Sequence, residues 1–407
     1  MSNQKDHKQI GQELELFFSH DYAPGAPFWL PKGMIIFKEL EKYIRQLTEE
    51  AGYREISTPI MVKSQLFIES GHWEKFGQHN MYNLTLSDGE EDEGKGILYT
   101  LKPMNCPEAT IVYRFRNRSY KELPLRLSEI GRLHRREKSG EVNGLLRVRQ
   151  ITMDDAHIFV SEDQIYDEVS NILDMMTEFY TKFGFEFDFR LATRPELFAG
   201  TQENWKKAEK DLEEALKKKK LNYSLKPQDG AFYGPKIDVH IKDSLEREWQ
   251  LATVQLDFHM PEAFDLKFVK NDGNFERPVM IHRAILGSFE RYIGILTEHY
   301  QGAFPLWLNP VQVAVIPITD KHTKFAQKVN DMLAQAGIRT ELYSQNQTLP
   351  AKIRDATLQK IPYLGIIGDK EIEKNTISIR TRDGENLGTI DLSQFLQKIK
   401  EEIDKKV

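Results

Sequence analysis

"LPLRLSEIGRLHRREKSGEVNGLLRVRQITMDDAHIF", residues 123–159, contains two runs that mix apolar and charged residues on either side of a polar segment. The segment between the runs, KSGEVNG at residues 138–144, has the glycines and polar side chains that are typical of a loop. The flanking runs, residues 123–137 and 145–159, have the composition of strands. The stretch therefore predicts two antiparallel strands joined by a long loop.

The residues before this stretch predict a helix, a strand and a hairpin tip. Ile36, Leu40 and Ile44 recur at the spacing of one helix face. Residues 53–61, YREISTPIM, predict a strand that enters a proline turn. The polar sequence SDGEEDEGKG at residues 87–96 predicts a solvated hairpin loop.

The rest of the chain predicts two domains. Residues 163–183 predict a helix, and residues 185–191 predict an extended segment. From about residue 306, apolar strands alternate with amphipathic helices as in a small α/β domain. Because a chain of 407 residues also exceeds one ordinary core, we expect a first domain at residues 1–304 and a second at 305–407.

Composition excludes several classes of protein. With 40% hydrophobic and 29% charged residues, the chain has the balance of a folded protein. No apolar run approaches the roughly 20 residues that a membrane helix needs. The polar start, MSNQKDHKQIGQEL, is neither a secretory signal nor a typical organelle presequence. A single cysteine fits a reducing compartment, so we expect a cytoplasmic protein. Because the net charge is -6, any contact with nucleic acid would depend on local basic patches.

Three side chains have the chemistry of a metal site. Cys106 is the only thiol, and His157 and His282 lie in well-separated segments. One thiolate and two imidazoles can bind zinc and leave one coordination position open for a substrate. Spacing alone leaves another interpretation open, since a cysteine is often simply buried and a histidine beside apolar residues is often part of the core.

A second group of side chains has the chemistry of a phosphate site. Arg135, Glu137 and Arg147 lie on the predicted strand pair, and Gly287 and Arg291 are expected on one face of a helix. Guanidinium groups bind phosphate through paired hydrogen bonds, and a glycine lets a ligand approach closely. Arginines on a hairpin are also common in surface ion pairs, so either segment alone fits both interpretations.

These segments resemble the motifs of class II aminoacyl-tRNA synthetases. A strand ending at Pro59, R-x-E at Arg135 and Glu137, and G-x-x-E-R at residues 287–291 are similar to motifs 1, 2 and 3. The finer resemblance is to the threonyl-tRNA synthetases, through APGAPFWLPKG, ESGHWEKF, LKPMNCP, DDAHIF, AFYGPKIDVHI, TVQLDF and IHRAILGSFER. The resemblance implies an α/β protein, with an antiparallel class II sheet in an α+β catalytic domain and then a small α/β anticodon-binding domain.

The resemblance implies an ATP site. Arg135 would bridge the α-phosphate and the substrate carboxylate, and Arg135 and Arg291 would be the catalytic residues. Glu137 would accept a hydrogen bond from the adenine amino group, Arg147 would hold the γ-phosphate, and Arg291 would stack on adenine. The implied ATP-binding set also includes Lys236, Gln250 and Ser288. Mg²⁺ would screen the triphosphate.

The resemblance also implies that Cys106, His157 and His282 bind zinc and that the amino acid is threonine. Zinc would take the α-amine and the hydroxyl group, and the implied amino-acid-binding residues are Met104, Asp155, Tyr233, Thr253 and Gln255. Valine would be rejected because its methyl group leaves polar groups unpaired, whereas serine lacks only one methyl and would be mischarged. Full-length members usually carry an N-terminal editing domain, and this sequence begins near their catalytic domain. It is therefore either a naturally short or split form that relies on editing elsewhere, or a piece cut from a longer chain.

The partners implied by the resemblance are tRNA(Thr) and a second copy of the chain. A homodimer is expected through the strand at residues 53–61. In the C-terminal domain, the implied anticodon-binding residues are Asn346, Arg354, Glu371 and Arg380. The structural alternative is that Glu371 and Arg380 pair with each other across neighbouring strands.

Several positions depart from the family pattern. Ile151 replaces an aromatic residue expected on adenine, Met153 replaces an amide that touches the substrate, and Leu251 stands where cysteine is usual. Glu108 and Ala109 replace a pair that often contains histidine. Isoleucine offers no π-face and methionine no hydrogen-bond donor, so we expect altered pockets. Two alternatives therefore stay open: a paralogue that activates another amino acid or serves another acceptor, and a non-catalytic tRNA-binding relative.

Overall fold

The computed structural model describes residues 4–86, 96–243 and 246–406. The chain forms two compact units. One unit contains Tyr22–Ala26 and Tyr43–Tyr292, and the other contains the residues up to Asp21, Pro27–Lys42 and the chain from Ile293 onward. The domain boundary expected after residue 304 stays a prediction, and most of the expected hairpin loop at residues 87–96 lies outside the described residues.

The helices of the described residues are α1 (His7–Glu13), α2 (Pro31–Glu50), α3 (Gln65–Glu69), α4 (Cys106–Arg114), α5 (Ile165–Lys182), α6 (Gln202–Lys218), α7 (His259–Ala263), α8 (Phe289–His299), α9 (Thr323–Gln335), α10 (Leu349–Leu358), α11 (Asp369–Lys374) and α12 (Leu392–Lys405). The strands are β1 (Phe17–Phe18), β2 (Phe28–Trp29), β3 (Arg54–Glu55), β4 (Met61–Lys63), β5 (Tyr82–Leu86), β6 (Ile97–Leu101), β7 (Arg118–Ser119), β8 (Leu125–His134), β9 (Gln150–Val160), β10 (Phe187–Ala192), β11 (Tyr223–Lys226), β12 (Lys236–Lys242), β13 (Glu248–Asp257), β14 (Phe268–Val269), β15 (Phe275–Glu276), β16 (Val279–Ser288), β17 (Val313–Pro317), β18 (Thr340–Leu342), β19 (Tyr363–Ile367), β20 (Thr376–Thr381) and β21 (Asn386–Asp391).

A mainly antiparallel sheet organises the first unit. Within the described residues it has eight strands in the order β11-β10-β12-β13-β16-β9-β8-β3, and only the outermost pairs at each end are parallel. The central strand β16 is buried along almost its whole length, which is typical of a strand covered on both faces. Helices α5 and α6 pack against this sheet through their amphipathic faces. The antiparallel sheet expected for the catalytic part is therefore confirmed.

The strand pair predicted from residues 123–159 is confirmed. Strands β8 and β9 pair antiparallel from Leu125 opposite Phe159 to His134 opposite Gln150. The helices predicted near residues 36–47 and 163–183 are present as α2 and α5.

The strand predicted within residues 53–61 is present as the short strand β3, which ends at Glu55 before Pro59. Only Arg54 and Glu55 pair with β8, and the chain joins a different sheet at β4. Between these segments the Thr58 N–H donates to the Glu129 carboxylate at 2.7 Å, and Pro59 has no N–H to donate to a sheet. The backbone therefore leaves the ladder at the bonded threonine and the proline.

The second unit contains a five-stranded sheet within the described residues. Its order is β18-β17-β19-β20-β21, with β17 parallel to both of its neighbours and the last two pairs antiparallel. Apolar side chains of α9 and α12 pack with one face of this sheet, as Val329 and Phe395 do, and those of α10 pack in a separate cluster that includes Ala356. The alternating strands and helices predicted after residue 306 are confirmed.

A buried ion pair joins Lys102, the residue after β6, to Glu129 of the large sheet. Lys102 Nζ lies 3.0 Å from Glu129 Oε1, and their side chains are only 1% and 5% exposed. Thr58 completes the group, because its hydroxyl donates to Glu129 at 3.0 Å and accepts from Lys102 at 2.7 Å. Two charges removed from water are tolerated when each one finds several partners.

We predict that Glu129→Ala lowers the free energy of unfolding by about 3–5 kcal/mol, because the Lys102 charge stays buried without its partner. The matched control is Glu55→Ala, which removes a carboxylate from an exposed pair with Arg45 at 2.9 Å. The control should cost less than about 1 kcal/mol. Urea denaturation of both variants measures the difference, and equal losses of stability would contradict the prediction.

Candidate active site

A cavity of about 300 Å³ opens on one face of the large sheet. Alternate residues of a strand point to the same face, so Ile151, Met153, Asp155 and His157 of β9 all line the cavity. Strand β13 contributes a second row in the same way, formed by Leu251, Thr253 and Gln255. The predicted site residues that line the cavity are Met104, Cys106, Arg135, Glu137, Arg147, Asp155, His157, Tyr233, Gln250, Thr253, Gln255, His282, Ser288 and Arg291.

The three predicted metal ligands lie together at one end of the cavity. Cys106 begins α4, and His157 of β9 is directly opposite His282 of β16 in the sheet register. One possible ligand atom from each residue lies within 4.8 Å of the other two. Among the described residues this cluster has three members, and all three are buried. A thiol and two imidazoles at this separation fit the donor set and the open coordination position of a catalytic zinc site.

Burial sets the protonation of this cluster. It lowers the pKa of His157 well below the ordinary value, and the neighbouring His282 adds to that effect. His157 is therefore a neutral imidazole with a lone pair available to a metal ion. Burial raises the pKa of the Cys106 thiol well above its ordinary value, and the nearby Asp155 acts in the same direction. A bound cation would reverse this effect on the thiol, because it stabilises the thiolate directly.

Two further side chains contact the cluster, and sequence reasoning gave neither of them a role. Asp257 Oδ2 lies 2.8 Å from His282 Nε2, and His72 Nε2 lies 3.4 Å from Cys106 Sγ. Burial lowers the pKa of His72 to about 3, so this histidine is neutral. Both residues belong to segments that carry the family resemblance, TVQLDF and ESGHWEKF. The signal was present in the sequence, but the contacts become visible only in the fold.

Hydrogen bonds fix the polar wall beside the cluster. Asp155 Oδ2 accepts from Asn105 Nδ2 at 3.1 Å. Burial raises the pKa of Asp155, while His282 and this hydrogen bond oppose the increase. The Tyr233 hydroxyl donates to Gln255 Oε1 at 2.5 Å. The Tyr233 ring stacks on the His282 ring with a centroid distance of 4.7 Å. This end of the cavity therefore offers a carboxylate and a phenol in fixed positions.

Two arginines with buried guanidinium groups also line the cavity. Arg135 Nε donates to the Pro103 carbonyl at 3.1 Å, and Arg291 Nε donates to the Leu146 carbonyl at 2.9 Å. Burial lowers the pKa of both guanidinium groups from its very high ordinary value. The positive charge of Arg135 lowers the pKa of Arg291 further. Cations that repel one another in a buried cavity are a suitable environment for an anionic ligand.

Arg147 already has carboxylate partners. Its guanidinium lies 2.8 Å from Glu137 and 2.7 Å from Glu141, and its side chain is 47% exposed. The two predicted ATP-binding residues Glu137 and Arg147 are thus in contact with each other. A phosphate that binds Arg147 would have to compete with this pair.

The predicted helix position of Gly287 is wrong. Gly287 and Ser288 end strand β16, and only Arg291 lies on helix α8. The register between β9 and β16 is irregular after Ala284, and Gly287 has a φ of +76° that an L-amino acid with a side chain rarely adopts. A bulge at the strand end, rather than a shared helix face, brings these residues to the cavity.

Some predicted residues lie elsewhere. Among the described residues predicted to bind ATP, Lys236 does not line the cavity: it is buried on β12 and ion-paired with Asp238. The variant positions Glu108 and Ala109 are buried in α4 and do not line it either.

The predicted anticodon residues belong to the second unit. Asn346, Arg354 and Arg380 are exposed, as a contact with RNA requires. Glu371 is only 8% exposed, and its carboxylate accepts from the Gly368 N–H at 2.9 Å at the start of α11. Its predicted contact with a base would have to coexist with this capping hydrogen bond.

Comparison with known proteins gives the family. Residues 88–300 match the tRNA synthetase class II core domain (G, H, P, S and T), and residues 312–402 match the anticodon binding domain. A crystal structure titled as the RNA binding domain of threonyl-tRNA synthetase from Cryptosporidium parvum Iowa II is 38% identical, with a TM-score of 0.92 over 98% of both chains. The chain belongs to the threonyl-tRNA synthetase family.

Curated members of this family share more of the sequence but are longer. The threonine–tRNA ligase of Caldanaerobacter subterraneus subsp. tengcongensis is 49% identical over 402 residues, which are 99% of this chain and 61% of that protein. The threonine–tRNA ligase of Syntrophomonas wolfei is also 49% identical, over 100% of this chain and 62% of its own length. The chain thus spans about three fifths of these threonyl-tRNA synthetase relatives. In the described part of the chain, no helix has the length and apolar character to cross a membrane.

A left-handed backbone conformation costs an alanine about 1–2 kcal/mol. We predict that Gly287→Ala lowers the free energy of unfolding by more than this amount. The added methyl group would lie 2.8 Å from the Leu251 carbonyl oxygen, so backbone must also move. Gly184→Ala is the matched control, because Gly184 has a similar φ of +71° with nothing within 4 Å of an added methyl group. Denaturant titrations of the two variants give the comparison, and an equal loss in both would show that the close approach to Leu251 carries no cost.

Proposed function

We propose that the protein activates threonine with ATP and transfers it to tRNA(Thr). The proposal is supported by membership of the threonyl-tRNA synthetase family and by the chemistry of one cavity. The observation that carries it is the position of Cys106, His157 and His282 at one end of a cavity whose remaining wall contains arginines. One end suits a small polar group that can bind a metal, and the other suits a polyphosphate.

In the first step, an oxygen of the threonine carboxylate attacks the α-phosphorus of ATP and pyrophosphate leaves, which gives threonyl-adenylate. The carboxylate is already ionised, so no general base is required. Arg135 would neutralise the charge that gathers between the carboxylate and the α-phosphate, and Arg291 would hold adenine. Mg²⁺ would enter with the nucleotide and screen its phosphates. The chain's contribution is to position two anions against each other and to neutralise them.

Recognition of the amino acid is proposed at the polar end. Cys106, His157 and His282 would hold zinc, which would supply a Lewis-acidic contact for the α-amine and the hydroxyl group of threonine. Asp155, oriented by Asn105, would accept the hydrogen bond of that hydroxyl. Tyr233, Gln255, Thr253 and Met104 would line the remaining surface. Valine has no hydroxyl to satisfy the carboxylate, so it would be excluded strongly.

A second candidate function is activation of a different amino acid or service to a different acceptor. It is favoured by one observation: Ile151, Met153 and Leu251 all line the cavity. None of the three offers an aromatic face or an N–H or O–H donor, so they would change contacts with adenine or with the amino acid. The intact Cys106, Asp155 and Tyr233 favour threonine over this alternative.

The proposal includes two macromolecular partners and a cytoplasmic location. The second unit would bind the anticodon of tRNA(Thr) through Asn346, Arg354 and Arg380, with Glu371 as a fourth candidate. A homodimer would form through residues 53–61, where β3 is an edge strand of the large sheet and the apolar side chains of Ile60 and Met61 are exposed and could be covered by a second copy. The single cysteine is compatible with a reducing cytoplasm.

We predict that ATP–pyrophosphate exchange depends on threonine. Serine should support exchange about 10- to 200-fold less efficiently, because it lacks one methyl group. Valine should be weaker than threonine by about 10⁴-fold or more, because it leaves the polar end of the cavity unpaired. The test is an amino-acid panel at equal enzyme concentration. Preference for another amino acid would support the second candidate function, and absence of exchange with every amino acid would contradict both.

We predict that Arg380→Ala lowers threonylation of tRNA(Thr) by about tenfold, the effect of losing roughly 1–3 kcal/mol of base contact. Amino-acid activation should stay unchanged, because Arg380 lies in β20 and the activation cavity lies in the other unit. Lys324→Ala, which removes an exposed cation from α9, is the control and should leave both rates unchanged. Equal loss of activation and transfer in Arg380→Ala, or loss of neither, would contradict the assignment.

A further inference from the structure

We propose that Asp257 is a positioning residue for the metal site, because it holds His282 in the one tautomer that can bind the metal. The inference rests on the proposed zinc site, and it assigns a role to a residue outside the cavity wall. It concerns the proton on one imidazole ring and the carboxylate that fixes it.

Asp257 is held rigidly. It ends strand β13 with no exposed surface, and its Oδ1 accepts from the N–H groups of His259 at 2.7 Å and Met260 at 2.9 Å. These two donors belong to the start of α7. The other oxygen, Oδ2, lies 2.8 Å from His282 Nε2 on the neighbouring strand β16. The carboxylate is therefore fixed by the backbone on one side while it contacts the histidine on the other.

The direction of this hydrogen bond follows from the groups that make it. A carboxylate has no proton to donate, so His282 Nε2 must be the donor and carries the hydrogen. In a neutral imidazole the other nitrogen, Nδ1, then carries the lone pair that can bind a metal ion. Carboxylates that bind the second nitrogen of a metal-bound histidine commonly set its tautomer and orientation.

The His282 ring is also prevented from compensating by rotation. The Tyr233 ring stacks on it with a centroid distance of 4.7 Å and an interplanar angle of 23°. The His157 ring lies edge-on to the His282 ring, with a centroid distance of 5.0 Å and an interplanar angle of 83°. The carboxylate beside His157 does not play the same part, since Asp155 Oδ2 is 3.9 Å from His157 Nε2, beyond hydrogen-bond distance. The tautomer of His282 therefore depends on Asp257.

Asparagine at position 257 tests the tautomer rather than the packing. Its carbonyl oxygen can still accept from His259 and Met260, and its shape is almost that of aspartate. Its amide group, however, would donate to His282 Nε2, so Nε2 would have to be an acceptor and the proton would move to Nδ1. One hydrogen bond reverses its direction while the surrounding contacts stay in place.

The experiment compares four metal-free proteins: wild type, Asp257→Asn, Cys106→Ala and Asp243→Asn. Asp243 is a matched control because it is also buried and also accepts from a backbone N–H, at Arg247, and from a ring N–H, at Trp249 Nε1. Zinc is titrated against a chromogenic chelator, and Co²⁺ is added separately to record the absorption of its thiolate and imidazole ligands. Thermal unfolding of the metal-free proteins reports the packing alone.

We expect Asp257→Asn to bind zinc about 10- to 100-fold more weakly than wild type and to change the Co²⁺ spectrum. Asp243→Asn should bind like wild type, and Cys106→Ala should lose high-affinity binding. Wild-type affinity and spectrum in Asp257→Asn would overturn the role of Asp257 while leaving the zinc site intact. Absence of zinc binding by wild type would overturn the proposed zinc site and this inference together.

A second measurement keeps the inference open to refutation if Asp257→Asn does not fold. Nitrogen NMR of metal-free wild type with labelled histidine identifies which ring nitrogen of His282 carries the proton, and His282→Gln assigns the signal. A proton on Nε2 is the expected result. A proton on Nδ1 would overturn the inference.

Discussion

The pairing of β9 with β16 is the constraint on which the site depends. It places His157 opposite His282 and Asp155 opposite Ala284, so that their side chains share the cavity face. Side chains alternate between the two faces of a strand, so a slip of one residue would turn every one of these groups to the other side of the sheet. The register is therefore a functional property as well as a structural one. The next strand, β13, continues it by placing Gln255 opposite His282.

Residues that alternate with these positions along the same strands stabilise the register. Asp154 accepts from the backbone N–H of Ile285 at 2.8 Å, and it lies 3.7 Å from the buried guanidinium of Arg283. These contacts lie beside the irregular register that precedes Gly287 and Ser288. Neighbouring residues in DDAH and in IHRA thus divide two tasks. Asp155, His157, His282 and Ala284 line the cavity, whereas Asp154 bonds the neighbouring strand and Arg283 both contacts Asp154 and reaches the cavity.

Local sequence patterns predicted much of this arrangement. The two strands of residues 123–159, the helix α2 and the alternating C-terminal elements follow from spacing and turn residues, and the resemblance named the three members of the Cys/His cluster. The errors occurred where a distant partner competes with local propensity. The helix predicted around Gly287 is one such error, because Gly287 lies in a strand bulge whose register is set by β9. The strand predicted within residues 53–61 is present but short, and Thr58 after it bonds the distant Glu129 side chain. Asp257 and His72 had no predicted role, because their contacts with His282 and Cys106 join segments far apart in the sequence.

The central claim is that one cavity binds a metal and a hydroxy amino acid at its polar end and the nucleotide at its arginine-lined end. The most direct test is a crystal structure of the protein with zinc and a non-hydrolysable analogue of threonyl-adenylate, with diffraction recorded on both sides of the zinc absorption edge. The account predicts an anomalous peak bonded to Cys106, His157 and His282, with the analogue's amine and hydroxyl at the metal and its adenine beside Arg291. An anomalous peak at other residues, or an analogue bound in the reverse direction or outside this cavity, would contradict it.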